Sequence, residues 1–143
     1  MKRLYPMMTN KVKGEYDMNF KLIKLTTSNE IVVIDRNDQY VALNDLYAFC
    51  GCDTIQIVRT GIHPQWLMCL DDNGKILNKD VNILASILYD NPYDFIVGDV
   101  VVGTRYSPNP NDEPDLFCMS NDDAAEIVNA LNEIKKDPLF PYK

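Results

Sequence analysis

Hydrophobic and polar residues alternate along several short stretches of the chain, a pattern that is typical of half-buried β-strands. It predicts strands at 20–25, 30–35, 53–59 and 65–70, and a short edge strand at 116–119. The most apolar stretch, 95–103, predicts a central strand, in which Gly98 indicates a bulge or a close approach of two backbones. Between the strands, Asn73-Gly74 is the strongest turn signal, because both residues accept positive φ.

Three other stretches repeat apolar residues at the spacing of one helix face. The first spans 43–50 and is followed by a glycine, which suits the left-handed conformation that ends many helices. The second is centred on 83–88 with Asn78 or Asp80 as its N-terminal cap, and the third is capped by Ser120. The sequence therefore predicts an α+β fold: a small mixed, largely antiparallel sheet with two short helices and a C-terminal helix.

Length and composition fit a single globular domain. The chain has 143 residues, of which 46% are hydrophobic and 24% charged, enough to build one core without disulfides. It has no run of about 18 apolar residues and no apolar segment behind its basic start, so we expect neither a membrane span nor a secretory signal. We predict a flexible basic leader at 1–19, a single α+β domain at 20–136 and a C-terminal tail at 137–143.

The charge is unevenly distributed along the chain, and this narrows the choice of partners. Six bases against two acids give residues 1–24 a net charge of +4, while eight bases against 19 acids give the other 119 residues −11. Nucleic-acid binding needs clustered Lys and Arg side chains that release counterions. We therefore expect no direct contact with nucleic acid.

The residue types that support metal binding or catalysis do not form a recognisable motif. The cysteines at positions 50, 52, 69 and 118 lack the two closely spaced pairs of a structural zinc site, so we expect reduced thiols, no metal and no cofactor. His63 is the single histidine and falls in a turn-like segment. A glycine-rich phosphate loop followed by Lys and Ser or Thr is absent, and the adjacent carboxylates fall in turns, loops and a helix start. We predict that the protein is not an enzyme.

The remaining cations and aromatic residues favour binding of a small anion. The candidate ligand-binding residues are Tyr47, Arg59, His63, Trp66, Arg105 and Tyr106. Three of them surround the tip of one predicted hairpin, two follow the central strand, and one belongs to the first helix. Arginine presents a fork that matches phosphate, and aromatic rings offer a surface on which a base stacks. The alternative is that Trp66 and Tyr47 are core residues and that the arginines form surface ion pairs.

Several short segments occur in an order that is characteristic of a known family. They are Leu43-Asn44-Asp45-Leu46, Gly51-Cys52, Thr54-Ile55-Gln56-Ile57-Val58, Leu70-Asp71-Asp72-Asn73-Gly74-Lys75, Asn82-Ile83-Leu84-Ala85-Ser86 and Asp94-Phe95-Ile96-Val97-Gly98-Asp99-Val100-Val101-Val102. Together they resemble a small α+β family of unknown function, found mainly in phages and other mobile elements, over roughly residues 20–119. Cys52 departs from the family pattern, which has a second glycine there. The family has no assigned active site, so the resemblance implies no catalytic residue; it implies an accessory protein of a mobile element that acts in the host cytoplasm.

The resemblance and the candidate ligand site lead to two hypotheses for the function. The first is a homo-oligomeric, non-enzymatic protein that binds no membrane and sequesters a small nucleotide-derived signal of host defence. The second is an acidic protein–protein inhibitor that mimics DNA and occupies a DNA-binding or defence enzyme of the host. Its acidic face would comprise Asp71, Asp72, Asp112, Glu113, Asp115, Asp122 and Asp123. The apolar stretch 139–142 either folds back on its own domain or contacts a neighbouring subunit.

Overall fold

The structure is a computed structural model, and it describes residues 19–105 and 115–141. Seven strands and three helices lie within these two ranges. The strands are β1 (Phe20–Leu25), β2 (Ile31–Arg36), β3 (Ile55–Arg59), β4 (Trp66–Asp71), β5 (Val100–Arg105), β6 (Leu116–Phe117) and β7 (Met119–Ser120). The helices are α1 (Leu43–Cys50), α2 (Ile83–Leu88) and α3 (Asn121–Lys135).

The five longer strands form an antiparallel sheet in the order β2-β1-β5-β4-β3. The short strands β6 and β7 add to β5 and β1. We call one end of the sheet the arginine end, because β3 and β5 finish there at Arg59 and Arg105. The opposite end, where β4 finishes at Asp71, is the aspartate end. The sheet order places β5 in the middle, which confirms the predicted central strand.

Both faces of the sheet are covered, so two hydrophobic clusters are buried. Helices α2 and α3 cover one face, where Trp66 and Met68 of β4 are buried. Helix α1 covers the other face, where Leu67 and Cys69 of the same strand are buried. This alternation explains why β4 is buried at every position. The predicted fold, with its small antiparallel sheet, two short helices and a C-terminal helix, is confirmed.

The turn after β4 differs from the tight hairpin that Asn73-Gly74 predicts. Neither residue has a positive φ; the left-handed residue of this segment is Asn78, with φ of 59°. Instead, the Asp71 carboxylate accepts a hydrogen bond from the backbone N–H of Asn73 at 2.8 Å, and a series of turns follows. Gly74 is needed for space, since a Cβ there would lie 2.8 Å from a methyl group of Val97. The turn was predicted at the right place with the wrong backbone conformation.

The central strand begins later than its apolar pattern indicates. β5 starts at Val100, and Gly98 before it has φ of 80°, which interrupts the extended backbone. Val97 forms an isolated bridge with Val81 instead of joining the sheet ladder. Gly98 thus marks a break in the strand, but the break lies before β5.

Helix α2 is capped by Asn82, and the two predicted caps Asn78 and Asp80 were wrong. The Asn82 side-chain oxygen accepts a hydrogen bond from the backbone N–H of Ala85 at 3.0 Å. Its amide nitrogen donates to the carbonyls of Leu25 at 2.9 Å and Gly98 at 2.8 Å. This fully buried side chain therefore joins the start of α2 to β1 and to the segment before β5.

The two ends of the chain are described in part. Residues 1–18 of the predicted leader lie outside the described residues, and so do the last two residues of the predicted tail. Phe140 packs against the core cluster beneath α3, so this part of the tail folds back on its own domain, whereas Leu139 is 73% exposed. Among the described residues, no helix has the length and apolar character that crossing a membrane requires.

Candidate functional site

Arg59 and Arg105 lie on the two strands that flank β4. Arg59 is opposite Leu67, and Leu67 is also opposite Gly103, two residues before Arg105. Because neighbouring strands are spaced by about 4.8 Å, the backbones of β3 and β5 are about 10 Å apart. The backbone N–H of Arg105 donates to the carbonyl of Gln65 at 2.7 Å, which holds the end of β5 beside the start of β4. The sheet thus brings two arginines from distant parts of the sequence to one end.

The two arginines also start from the same face of the sheet. Residues that are directly opposite each other on neighbouring strands share a face. Arg59 is opposite Leu67 and Arg105 is opposite Leu116, and both leucines belong to the cluster beneath α1. The arginine side chains therefore leave the sheet on the α1 side.

Arg59 and Arg105 have no side-chain hydrogen bond or ion pair with any described residue. By contrast, six other cations of the described ranges form ion pairs with carboxylates: Lys21, Lys24, Arg36, Lys75, Lys79 and Lys136. Lys135 donates to the carbonyl of Asn29 at 2.6 Å. The backbone N–H of Asp90 donates to the Arg59 carbonyl at an N–O distance of 3.4 Å, a contact that involves neither side chain. The alternative that these arginines form ion pairs thus does not hold within the described residues.

His63 and Trp66 form a stacked pair at the tip of the β3–β4 hairpin. Their ring centroids are 4.4 Å apart and the rings are inclined by 15°. Trp66 is 2% exposed and belongs to the core. Its ring therefore packs against His63 but has no exposed surface on which a ligand could stack. The Nδ1 atom of His63 accepts a hydrogen bond from the backbone N–H of Gln65 at 3.0 Å, which fixes the ring. The half-buried His63 ring is therefore the aromatic surface that this hairpin presents.

The two tyrosines of the predicted site are not part of this arrangement. Tyr47 is half-buried on α1, on the face of the sheet opposite to Trp66, so the two rings do not form one platform. Tyr106 lies outside the described residues. At the arginine end, the structure thus places Arg59 and Arg105 on the α1 face of the sheet and the His63–Trp66 pair on the opposite face, while Tyr47 lies on α1.

Several segments that carry the family resemblance meet at the opposite, aspartate end, around an ion pair that sequence reasoning missed. The ammonium group of Lys79 lies 2.7 Å from the Asp71 carboxylate and donates to the carbonyl of Gly51 at 3.0 Å. Burial of Asp71 acts to raise its pKa, but hydrogen bonds from Lys79 and the N–H of Asn73 outweigh burial and hold the pKa below its usual value. Gly51 ends α1 in the left-handed conformation, with φ of 63°, as predicted.

A cavity of about 490 Å³ opens beside this ion pair. Its lining includes Thr27, Asn78, Lys79, Asp80 and Asp99. The lysine is already neutralised by a buried carboxylate, and the other charged groups of the lining are acidic. The cavity therefore offers no free cation to an anionic ligand, and we assign the aspartate end a structural role.

The described cysteines are buried or half-buried thiols without metal-binding geometry. The Sγ atom of Cys50 donates to the carbonyl of Cys69 at 3.3 Å and lies 3.9 Å from the Cys69 Sγ atom. The hydrogen bond between the two thiols, together with burial, raises the pKa of Cys50. Burial raises the pKa of Cys118 to about 11. Within the described residues, no group of three or more His, Cys, Asp or Glu side chains is arranged to hold a metal ion. Cys50 and Cys118 therefore remain protonated near neutral pH, and the buried cysteines pack as small core residues.

The acidic face of the inhibitor hypothesis is divided between the two ends of the sheet. Asp71 is buried and paired with Lys79, so it does not belong to an acidic surface. Asp72 follows it at the aspartate end. Asp115 precedes β6, and Asp122 and Asp123 lie in the first turn of α3, all three toward the arginine end. Residues 112 and 113 lie outside the described ranges. The described acids therefore do not form one continuous row.

Comparisons with known proteins identify the family of the chain but assign it no activity. No curated protein and no solved structure matches it. The family model described as a domain of unknown function, DUF3846, matches residues 20–129, from β1 into α3. This range contains the stretch 20–119 on which the resemblance rested. The chain therefore belongs to the DUF3846 family, whose function is unknown.

Proposed function

We propose that the protein binds a small nucleotide-derived anion at the arginine end and sequesters it without chemical change. The observation that carries this proposal is that Arg59 and Arg105, on one face and at one end of the sheet, lack side-chain partners among the described residues. In a chain with a net charge of −7, two guanidinium groups that pair with no acid of the described ranges form a local positive site.

The spacing of the two arginines suits a ligand with more than one phosphate. Each guanidinium group can donate two parallel hydrogen bonds to phosphate oxygens. The strands that carry them are about 10 Å apart, so both side chains can reach one diphosphate or two phosphates of one ligand. The His63 ring stacks on Trp66 at the same end of the sheet but on the opposite face from the arginine side chains, so a base could stack on it only if the ligand extends around this end of the sheet.

Binding without conversion is proposed because the groups at this end hold a ligand but do not attack it. His63, the single histidine of the sequence, uses Nδ1 to accept the N–H of Gln65. The described cysteines have raised pKa values at Cys50, Cys52 and Cys118, so none of these three is an activated nucleophile.

The resemblance to a family of phages and mobile elements suggests the biological setting for such binding. We propose that the protein is an accessory protein of a mobile element that acts in the host cytoplasm and removes a nucleotide signal used in host defence. A protein that only binds its ligand acts stoichiometrically, so assembly into an oligomer would increase the number of sites on each particle.

Calorimetric titration of the full chain with ADP, ADP-ribose and cyclic di-AMP tests the proposal. At least one of these probes should bind, and Arg59→Ala and Arg105→Ala should each weaken that binding by roughly 10- to 100-fold, because a charge-assisted hydrogen bond contributes about 1.5–3 kcal/mol. Lys136→Ala is the matched control, since it removes one charge from an exposed side chain at the other end of the sheet. Chromatography after denaturation should recover the probe intact.

Three results would count against the proposal. Absence of binding to all three probes would remove its basis. Equal affinities for the arginine variants and Lys136→Ala would show that bulk charge, and not this site, attracts the ligand. Recovery of a cleaved probe would make the protein an enzyme.

A further inference from the structure

Strand β2 forms one edge of the sheet, and no strand among the described residues pairs with its outer side. Its first four residues, Ile31 to Ile34, are uncharged, and Val32 and Val33 are 39% and 45% exposed. Its pairing with β1 is continuous, without a bulge. An edge that lacks a bulge, a proline or a lysine is a template for a further strand. We infer that β2 pairs with β2 of a second copy of the chain in an antiparallel, two-fold symmetric dimer.

The hydrogen bonds before β2 show which of its residues direct their backbone groups outward. The backbone N–H of Thr26 donates to the carbonyl of Glu30 at 3.1 Å, so Glu30 directs its carbonyl toward β1. This direction alternates along an antiparallel strand. The residues of β2 whose N–H and carbonyl groups point to the free edge are therefore Ile31, Val33 and Asp35.

The outward backbone groups of these three residues all find hydrogen-bond partners in the second copy when Val33 lies on the two-fold axis. Val33 is then opposite the partner's Val33, and Ile31 is opposite the partner's Asp35. Residues that are directly opposite and point toward each other exchange two backbone hydrogen bonds. In the same register, Val32 is opposite the partner's Ile34, so the exposed apolar side chains of the edge cover each other. In this symmetric register, every backbone N–H and carbonyl group of β2 that points to the free edge is thus hydrogen-bonded to the partner.

The charges at the ends of β2 select this register. Glu30 is opposite the partner's Arg36, and by symmetry Arg36 is opposite the partner's Glu30. The Glu30 carboxylate forms no ion pair with a described residue. The Arg36 guanidinium group bonds Asp45 through one nitrogen at 3.1 Å, hydrogen-bonds Cys118 and lies 5.9 Å from the centre of the Phe49 ring, and its five N–H groups exceed these two hydrogen bonds. A shift of two residues places Glu30 opposite the partner's Asp38 in one direction and opposite the partner's Ile34 in the other. Only the register centred on Val33 combines opposite charges with complete backbone pairing.

Sedimentation analysis of the full chain over a range of concentrations tests the dimer. The wild-type chain should show a monomer–dimer equilibrium, and Val33→Lys should weaken the dimer at least about tenfold, because it places two ammonium groups opposite each other on the axis. Val33 is 45% exposed, so the monomer can accommodate lysine. Val81→Lys is the matched control, as Val81 is 48% exposed but lies outside the sheet edge, and its dimer should equal that of the wild type.

A charge exchange tests the register. Glu30→Arg and Arg36→Glu should each be monomeric alone, because each places like charges opposite each other at both ends of the paired strands. When the two variants are mixed, opposite charges meet again at both ends and a heterodimer should form. The unfolding midpoint of Arg36→Glu, measured in parallel, verifies that the loss of the contact with Asp45 leaves the monomer folded.

Three outcomes would contradict the proposed dimer, its surface or its register. A wild-type chain that is monomeric at every concentration overturns the dimer. A dimer that Val33→Lys and Val81→Lys leave equally strong must use another surface. A dimer that Val33→Lys weakens, but whose charge variants form no heterodimer on mixing, contradicts the register centred on Val33. None of these measurements involves a ligand, so failure here and failure of the proposed function are distinguishable.

Discussion

The ammonium group of Lys79 lies 2.7 Å from the carboxylate of Asp71, whose side chain is 2% exposed. Through its bond to the Gly51 carbonyl, the same lysine also reaches the end of α1. A single side chain thus connects the end of β4, the end of α1 and the segment that leads into α2. Because the carboxylate is buried, its charge depends on this one lysine and on the N–H of Asn73.

We expect Lys79→Met to destabilise the fold substantially. The variant leaves the buried Asp71 carboxylate without its cation, and removal of one partner from a buried ion pair costs about 3–5 kcal/mol, here toward the lower figure because Lys79 is 25% exposed. Lys75→Met is the control, since it breaks the exposed ion pair with Asp94 and should cost at most about 1 kcal/mol. Urea unfolding measures both; similar losses would mean that the Asp71–Lys79 pair contributes no more than a surface pair.

The same pair predicts how stability depends on pH. The pKa of Asp71 is lower in the folded state than its ordinary value, so the folded state favours the ionised form. This contribution is complete above the ordinary pKa of about 4 and is lost as the pH falls through the lower folded-state value. The wild type should therefore exceed Asp71→Asn in unfolding free energy at neutral pH, and the gap should shrink below about pH 4. Urea unfolding as a function of pH measures it; a gap independent of pH would contradict the assignment.

The elements that the sequence predicts well are those whose stabilising contacts are local. Helix α3 begins after Ser120, whose side chain accepts a hydrogen bond from the N–H of Asp123 at 3.1 Å, as the capping pattern indicates. The β3–β4 hairpin is likewise contained in one short stretch of sequence, so the placement of Arg59, His63 and Trp66 at one hairpin end was predictable. That Arg59 and Trp66 lie on opposite faces of the sheet was not.

The features that the sequence does not predict depend on contacts between distant residues. Asn82 caps α2 while binding the carbonyl of Leu25, which is 57 residues earlier, and no local pattern distinguishes it from Asn78. Nothing in the sequence distinguishes Lys79 from a surface lysine, because its ion pair with Asp71 forms only in the fold. The approach of Arg105 to Arg59 follows from the sheet order, which puts β5 next to β4. Sequence pattern alone identified these arginines as candidates and left their separation open.

Asn82→Ala should be among the most destabilising single substitutions in α2. It removes the cap and leaves the buried carbonyls of Leu25 and Gly98 without a donor, for a combined cost of about 3 kcal/mol or more. Ser120→Ala is the matched comparison, because it removes an exposed cap with one hydrogen bond and should cost about 1 kcal/mol. Thermal and urea unfolding measure both variants. Equal costs would show that the two bonds of the Asn82 amide contribute nothing beyond the cap.

Alanine substitutions at two glycines should separate lack of space from backbone strain. At Gly103, in the middle of the sheet, an added Cβ would meet the backbone oxygen of Phe117 and lie 2.8 Å from a methyl group of Leu116, so β6 must move away. At Gly51 an added Cβ would meet no atom within 4 Å, and the only penalty is the φ of 63°. Gly51→Ala should therefore cost about 1 kcal/mol and keep β6 protected, whereas Gly103→Ala should cost about 2–3 kcal/mol. Amide hydrogen exchange should show faster exchange in β6 for Gly103→Ala alone, and unchanged exchange there would contradict the close packing of β6 against β5.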